Sequence, residues 1–302
     1  MTHSIKVKGI HKSFKDTKAL TDINFTVGKG ELFGLIGPDG AGKSTLFKIL
    51  TSLLIPDQGE AWVEGLHTVK DYKKIRKIIG YMPGRFSLYQ DLTVEENLNF
   101  FATIFGTTIE ENYDLVKDIY AQIEPFKKRR AGKLSGGMKQ KLALSCALIH
   151  EPKVLFLDEP TTGVDAVSRA EFWEMLKRLK AHGISILVST PYMDEASLCE
   201  RIALIQEGRI MQIDEPQQIC DDYEHPIFAV RSLDFYRMLH DLREAPFTYR
   251  VEPFGEYLHL STLEQVSEEM IGRFLIDKDH KEIEIKPIRA GIEDVFLDLM
   301  SK

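Results

Sequence analysis

The chain has 302 residues, 43% hydrophobic and 28% charged, ordinary proportions for a globular protein and enough length for about two domains. A net charge of −7 and an isoelectric point of about 5.8 argue against a dedicated nucleic-acid binder. Three widely spaced cysteines, Cys146, Cys199 and Cys220, indicate neither a disulfide framework nor a zinc site and fit a reducing cytoplasm.

The N-terminal stretch Met1 to Lys8 shows no apolar core of a signal peptide. The longest apolar runs, around residues 32–36 and 184–188, are far short of the ~20 residues that span a bilayer. Any membrane role is therefore expected to pass through a partner. Residues 5–10 and 23–27 read as strands, with Phe14 between them. Phe14 is either a base-stacking aromatic or a strand residue packed on the core, and the sequence leaves both open.

The run Leu32-Phe33-Gly34-Leu35-Ile36 predicts a buried strand, and Leu46, Ile49, Leu50, Leu53 and Leu54 predict a helix. Between them lies Gly37-Pro38-Asp39-Gly40-Ala41-Gly42-Lys43-Ser44-Thr45, the P-loop pattern in its strand–loop–helix setting. Its glycines let successive N–H groups curl into an anion nest, and the helix that follows aims its positive dipole end at the same point. Lys43 supplies a cation for the β- and γ-phosphates, and the Ser44 hydroxyl is a Mg²⁺ ligand.

Further on, Pro56–Gly59 is a turn, 60–64 a short strand, 70–77 a charged helix and 78–82 a buried strand. A helical insert spans about 85–150. It opens on a Thr93-Val-Glu-Glu capping box and carries Leu98, Phe100, Phe101, Ile104 and Phe105. These aromatics are core residues or a partner-docking surface. A second insert helix covers roughly 110–123, and a basic patch follows at Lys127–Arg130.

In Leu134-Ser135-Gly136-Gly137-Met138-Lys139-Gln140, Ser135 is an N-cap for a helix running to about Ile149. Gly136 and Gly137 in its first turn either soften the helix start or let something negative approach bare N–H groups. Val154-Leu155-Phe156-Leu157-Asp158-Glu159 is a central strand delivering two carboxylates at its tip, where ligands sit in open α/β sheets. Asp158 is placed to hold Mg²⁺ or its water, and Glu159 to polarise an attacking water. A helix from about 166 to 182, a strand at 184–189 and two short strands at 201–206 and 209–213 complete this part. The segment 220–226 reads as a linker, and 227–302 as a small α+β domain of alternating strands and helices.

The P-loop, the Leu134–Gln140 stretch and the Asp158-Glu159 strand come in an order and spacing that resembles the ATP-binding subunit of an ABC transporter over residues 1–220. With its ending Gly291-Ile292-Glu293-Asp294-Val295-Phe296-Leu297, the whole chain is similar to the bacterial exporter branch serving drug-resistance and ABC-2-type membrane subunits. The resemblance implies an α/β P-loop ATP-binding domain with a helical insert, using ATP and Mg²⁺. It also implies a head-to-tail dimer in which each ATP lies between one P-loop and the partner's Ser135-Gly136-Gly137. Phe14 then corresponds to the adenine-stacking aromatic and Asp165 to the aspartate that crosses the dimer interface. The implied partners are an integral-membrane permease and a second ATP-binding domain, on the inner face of the cell membrane, with no nucleic acid.

Three positions depart from that pattern. Gly84 stands where a glutamine reaches Mg²⁺ and the attacking water, Pro191 where a histidine meets the γ-phosphate, and Asp39 where asparagine is usual. Losing one such contact typically costs ~10²–10³ in rate. The expectations are therefore an energising exporter subunit, or a hydrolysis-impaired regulatory half of a heterodimer. A soluble non-transport ATPase is the third, disfavoured by the single acidic ATP-binding domain.

Overall fold

The structure is a computed structural model that describes residues 3–301, the side chain of Asp114 excepted. It divides into two compact units, one up to Pro216 and one from Gln217.

In the first unit the elements are β1 (His3–Phe14), β2 (Thr17–Gly28), β3 (Leu32–Ile36), α1 (Lys43–Leu50), β4 (Gln58–Val63), β5 (Leu66–His67), α2 (Tyr72–Ile75) and β6 (Ile79–Met82). They continue with α3 (Val94–Phe105), α4 (Tyr113–Tyr120), α5 (Gly136–Leu148), β7 (Val154–Asp158), α6 (Ala166–Ala181), β8 (Ser185–Thr190), β9 (Arg201–Gln206) and β10 (Arg209–Asp214).

Strands β3, β7 and β8 are buried along their whole length, as strands covered on both faces must be. They lie in a sheet of order β10-β9-β3-β8-β7-β6, parallel except for the β9–β10 pair. The second sheet, β2-β1-β4-β5, is antiparallel. A core that includes Ile5, Ile10, Phe33, Phe47, Phe156 and Leu187 fills this part of the unit. The parallel sheet brings β8 between β3 and β7, so the P-loop and the carboxylate tip emerge on either side of one strand end.

The insert keeps its predicted start. Thr93 Oγ1 accepts from Glu96 N at 3.2 Å, and Glu96 Oε2 accepts from Thr93 N at 2.8 Å. The α3 helix then ends on Gly106 in the left-handed region, φ 72. Two expectations are corrected. The charged stretch 70–77 holds only the single helical turn α2, in which Ile75 alone is buried. The second insert helix is eight residues, α4, not fourteen.

In the second unit, α7 (Pro216–Asp221) leads into β11 (Ile227–Arg231), α8 (Phe235–Arg243), β12 (Thr248–Phe254), β13 (Tyr257–Thr262), α9 (Glu268–Asp277), β14 (Glu284–Ile288) and α10 (Ile292–Leu299). The sheet order β12-β13-β11-β14 makes a βαββαβ split arrangement. Phe228, Val230, Met238, Leu242, Val251, Leu258, Leu260, Ile271 and Leu275 form its separate core. The segment 220–226 is not a free linker. The Tyr223 hydroxyl lies 2.7 Å from Ser261 Oγ, and the His225 ring stacks on Tyr249 at 3.6 Å.

Candidate nucleotide site

The loop from Gly37 to Gly42 leaves the end of β3 and enters α1 directly. Its tightest approach is at Gly37, where a Cβ would stand 2.1 Å from the Ile205 carbonyl oxygen, so no side chain fits. Gly42 has φ 102 and caps α1 with no side-chain acceptor. The first-turn N–H groups of Lys43, Ser44 and Thr45 thus have no intrahelical or cap partner, the arrangement that receives an anion. Lys43 is buried, and its Nζ donates to the carbonyls of Gly37 at 2.8 Å and Pro38 at 2.9 Å. Asp39 and Gly40 are exposed on the outer bend and Ala41 is buried beneath it.

Across β8, Asp158 is almost fully buried and accepts from Ser189 Oγ at 2.7 Å. Burial and the neighbouring Asp158 charge push the Tyr81 phenol up to about 12. Glu159 sits at φ 51, in the left-handed region, and its Oε1 meets Lys43 Nζ at 3.1 Å. The strand between them fastens both sides: Thr190 O accepts from Gly37 N at 3.3 Å and Ser189 O from Glu159 N at 3.1 Å.

A cleft of about 390 Å³ opens over these groups, lined by Thr17, Lys18, Gly42, Lys43, Ser44, Thr45, Glu159 and the Glu207-Gly208 turn, among others. These residues fit a nucleoside triphosphate: an uncapped helix start, a buried lysine and the Glu159 carboxylate converge on one opening. Mg²⁺ keeps substrate phosphates and waters as ligands and needs only one or two protein groups. The Ser44 hydroxyl lines the cleft and would be one, whereas Asp158 is buried behind it and engaged by Ser189. The P-loop residues Gly40, Gly42, Lys43, Ser44 and Thr45 and the carboxylate Glu159 are brought to this cleft.

The other predicted residues stand apart from it. Phe14 is 48% exposed at the end of β1, with Lys12 Nζ 5.6 Å from its ring centre. It is therefore not a core residue, and the cleft wall nearby is made by Thr17, Lys18 and Ala19. Ser135 caps α5 through Met138 N at 3.4 Å, and Asp165 caps α6 through Ser168 N at 3.0 Å. Hydrogen bonds from the Ser168 backbone and hydroxyl hold the Asp165 carboxyl below its usual range. Gly136 is exposed, whereas a Cβ on Gly137 would stand 2.8 Å from Ser168 Oγ. Close packing of α5 on α6 is thus one reason for a glycine at 137. Gly84 is exposed, and a Cβ there would lie 3.1 Å from the Asp158 carbonyl oxygen, beside the carboxylate tip. Sequence reasoning missed Ser189 and Thr190. The only signal was a pair of hydroxyl residues ending an apolar strand.

Fold and site together define an ATP-binding domain of the P-loop class. Residues 20–162 match the ABC transporter family. The probable multidrug ABC transporter ATP-binding protein YbhF of Escherichia coli (strain K12) is 45% identical over 232 residues, 76% of this chain; the chain spans only 40% of that protein's length. Nod factor export ATP-binding protein I of Rhizobium sp. (strain N33) is 35% identical over 308 residues, covering 99% of this chain and 97% of that protein. An ATP-binding cassette solved as a dimer in a post-hydrolysis state with ADP and Pi superposes with a TM-score of 0.64 at 27% identity, covering 70% of this chain and 98% of that one. The chain belongs to the ATP-binding proteins of ABC transporters.

Proposed function

We propose that this chain is the energy-supplying subunit of an ABC exporter, binding and hydrolysing ATP with Mg²⁺ at the cleft over Lys43. The observation that carries the reading is the meeting of the P-loop lysine with Glu159 across β8, with Asp158 behind it. The names of the relatives support export as the process served, multidrug in one and Nod factor in the other. The subunit pairs head to tail with a second ATP-binding domain, so that Ser135, Gly136 and Gly137 of one face the P-loop of the other. The dimeric cassette among the similar structures supports that pairing. Residues 227–302 serve as an accessory domain.

The membrane partner is an integral ABC-2-type permease, engaged from the inner face of the cell membrane. Among the described residues no helix is long and apolar enough to cross a membrane. The insert offers the docking surface. Leu98 is core, but Phe100 is 38% and Ile104 60% exposed, and Phe101 and Phe105 line a groove of about 260 Å³ with Leu53, Met82 and Pro83, next to Gly84. The test is fractionation of cells expressing the chain with its permease. Phe100→Glu with Ile104→Glu should move the protein from the membrane to the soluble fraction while ATP-analogue binding stays unchanged. Retention on the membrane would reject this docking surface.

A second reading is favoured by Gly84, which borders the carboxylate tip, and Pro191, which follows β8: neither side chain carries a polar group for the γ-phosphate or water. On that reading the chain is the regulatory half of a heterodimer: its own site holds ATP with little turnover, while its Ser135-Gly136-Gly137 completes the partner's competent site. Steady-state ATPase of the reconstituted transporter separates the two. Turnover that survives Glu159→Gln but fails with Gly136→Asp supports the regulatory half, and loss with Glu159→Gln rejects it.

A further inference from the structure

We infer that Glu195 is a positioning residue for hydrolysis, tying the tips of β7 and β8 together so that Glu159 keeps its pose; this rests on the hydrolytic reading of the site above. Glu195 lies just past β8 in the short helical turn Met193–Leu198 and is 2% exposed. Its Oε2 accepts from Thr190 Oγ1 at 2.5 Å and from Thr161 Oγ1 at 3.1 Å. Thr190 is the last residue of β8, and Thr161 follows Glu159 by two residues. The same Thr190 hydroxyl oxygen accepts from Tyr192 N at 3.1 Å. One carboxylate oxygen therefore closes a loop of contacts from the β7 tip to the β8 tip.

The other oxygen explains why a carboxylate is an odd choice for packing alone. Glu195 Oε1 is buried without a hydrogen-bond partner among the described residues, with Arg169 Nε 3.8 Å away. That contact is a long ion pair, and Arg169 also directs its guanidinium to Asp194 at 3.2 Å and over the Tyr192 ring at 4.8 Å. A buried acceptor left open is unfavourable, and apolar residues of similar volume hold a core at least as well. What the carboxylate does that an apolar side chain does not is receive two hydroxyls from two strand tips at once.

Glu159 needs such a restraint. Its φ of 51 is strained for a residue with a side chain, and strained backbone persists only where its surroundings over-determine it. Residue 159 is held upstream by Ser189 O and downstream by a turn in which Thr162 N donates to Glu159 O at 3.3 Å. Thr161, inside that turn, is anchored by Glu195. Lys43 holds the Glu159 carboxylate and Ser189 its backbone N–H, and the Glu195 anchor on Thr161 fixes the turn that follows it.

The test compares the full-length protein with Glu195→Ala, Glu195→Gln, Thr190→Val and Thr161→Val. Binding of a fluorescent ATP analogue and single-turnover hydrolysis of labelled ATP, with protein in excess, are measured on each. All four variants are expected to bind the analogue with affinity close to that of the unaltered protein. Glu195→Ala should slow hydrolysis per bound nucleotide by about tenfold or more, as misplaced groups do. Thr190→Val and Thr161→Val should each slow it by a smaller factor. Glu195→Gln, which keeps one oxygen for both hydroxyls, should recover most of the rate. A merely structural role would lower bound analogue and hydrolysis in parallel, leaving the rate per bound nucleotide unchanged, and that result overturns the inference. If Glu195→Ala does not fold, the two threonine variants decide by the same rate. An unaltered protein that hydrolyses no faster than Glu159→Gln also overturns it, while the reading of the P-loop stands as long as Lys43→Ala loses the analogue. Undiminished binding by Lys43→Ala would instead defeat the site reading itself.

Discussion

Lys43 Nζ and Glu159 Oε1 stand 3.1 Å apart, joining the first residue of α1 to the residue that follows β7 at its tip. The lysine side chain is almost fully buried and that of the glutamate largely so, so the contact is poorly screened. Phosphate oxygens entering the cleft compete with Glu159 for the same ammonium. Lys43→Ala removes a charge-assisted contact, with an expected loss of ~1.5–3 kcal/mol in nucleotide affinity by fluorescence titration. Glu159→Gln should leave affinity equal or higher, because it releases Lys43, while hydrolysis falls by ~10²–10⁴-fold. Equal affinity in Lys43→Ala and the unaltered protein would sink the assignment of this loop.

Phe14 is exposed, and a ring left open to solvent at the end of β1 is available for stacking. Phe14→Ala should weaken ATP-analogue binding by roughly the 1–3 kcal/mol that a base–aromatic stack contributes. Phe14→Tyr should bind as the unaltered protein does, since stacking needs the ring and not its substituent. Equal binding in all three proteins would place the base elsewhere.

Gly84 borders the carboxylate tip, and Pro191 follows β8 directly. If their lost contacts limit the rate, Gly84→Gln with Pro191→His should raise single-turnover hydrolysis by about tenfold or more at this chain's own site. A Cβ at position 84 would approach Asp158 O to 3.1 Å, which requires only a small adjustment of the loop. No gain would mean that these two positions do not limit the rate.

His150 supplies a pH dependence. Burial holds its imidazole below the ordinary 6.5, opposed by a hydrogen bond to Ile79 O at 3.0 Å. Its ring also stacks on Phe105 at 3.7 Å. As pH falls below about 6.5 the unfolded chain takes up a proton that the folded chain does not, so stability drops until the folded imidazole also protonates. The slope from this group is at most ~1.4 kcal/mol per pH unit. His150→Phe keeps the stacked ring and should flatten the urea midpoint between pH 7 and 5. Glu96, held low by the backbone and hydroxyl of Thr93, acts in a separate window, losing its contribution as pH falls below 4.5. An unaltered slope in His150→Phe would assign the dependence to other groups.

The parts legible in the sequence are those whose cause is local. Glycine spacing wrote the P-loop because only glycine tolerates the Gly37 approach and the Gly42 backbone. Thr93, Ser135 and Asp165 sit at helix starts because a short oxygen side chain satisfies an N–H three residues on. Charge alone did not make a helix of 70–77, since a segment with one buried residue gains too little packing to extend beyond a turn. The order β3-β8-β7 was beyond the reach of any local pattern. The P-loop strand lies more than a hundred residues before the other two, and all three read alike, as continuous apolar runs, so their neighbours are chosen by how the layers pack. That order alone brought Lys43 to Glu159, set Ser189 and Thr190 between them, and buried Glu195 under both tips. Sequence determined which groups the site contains; side-by-side pairing of distant strands decided which of them meet.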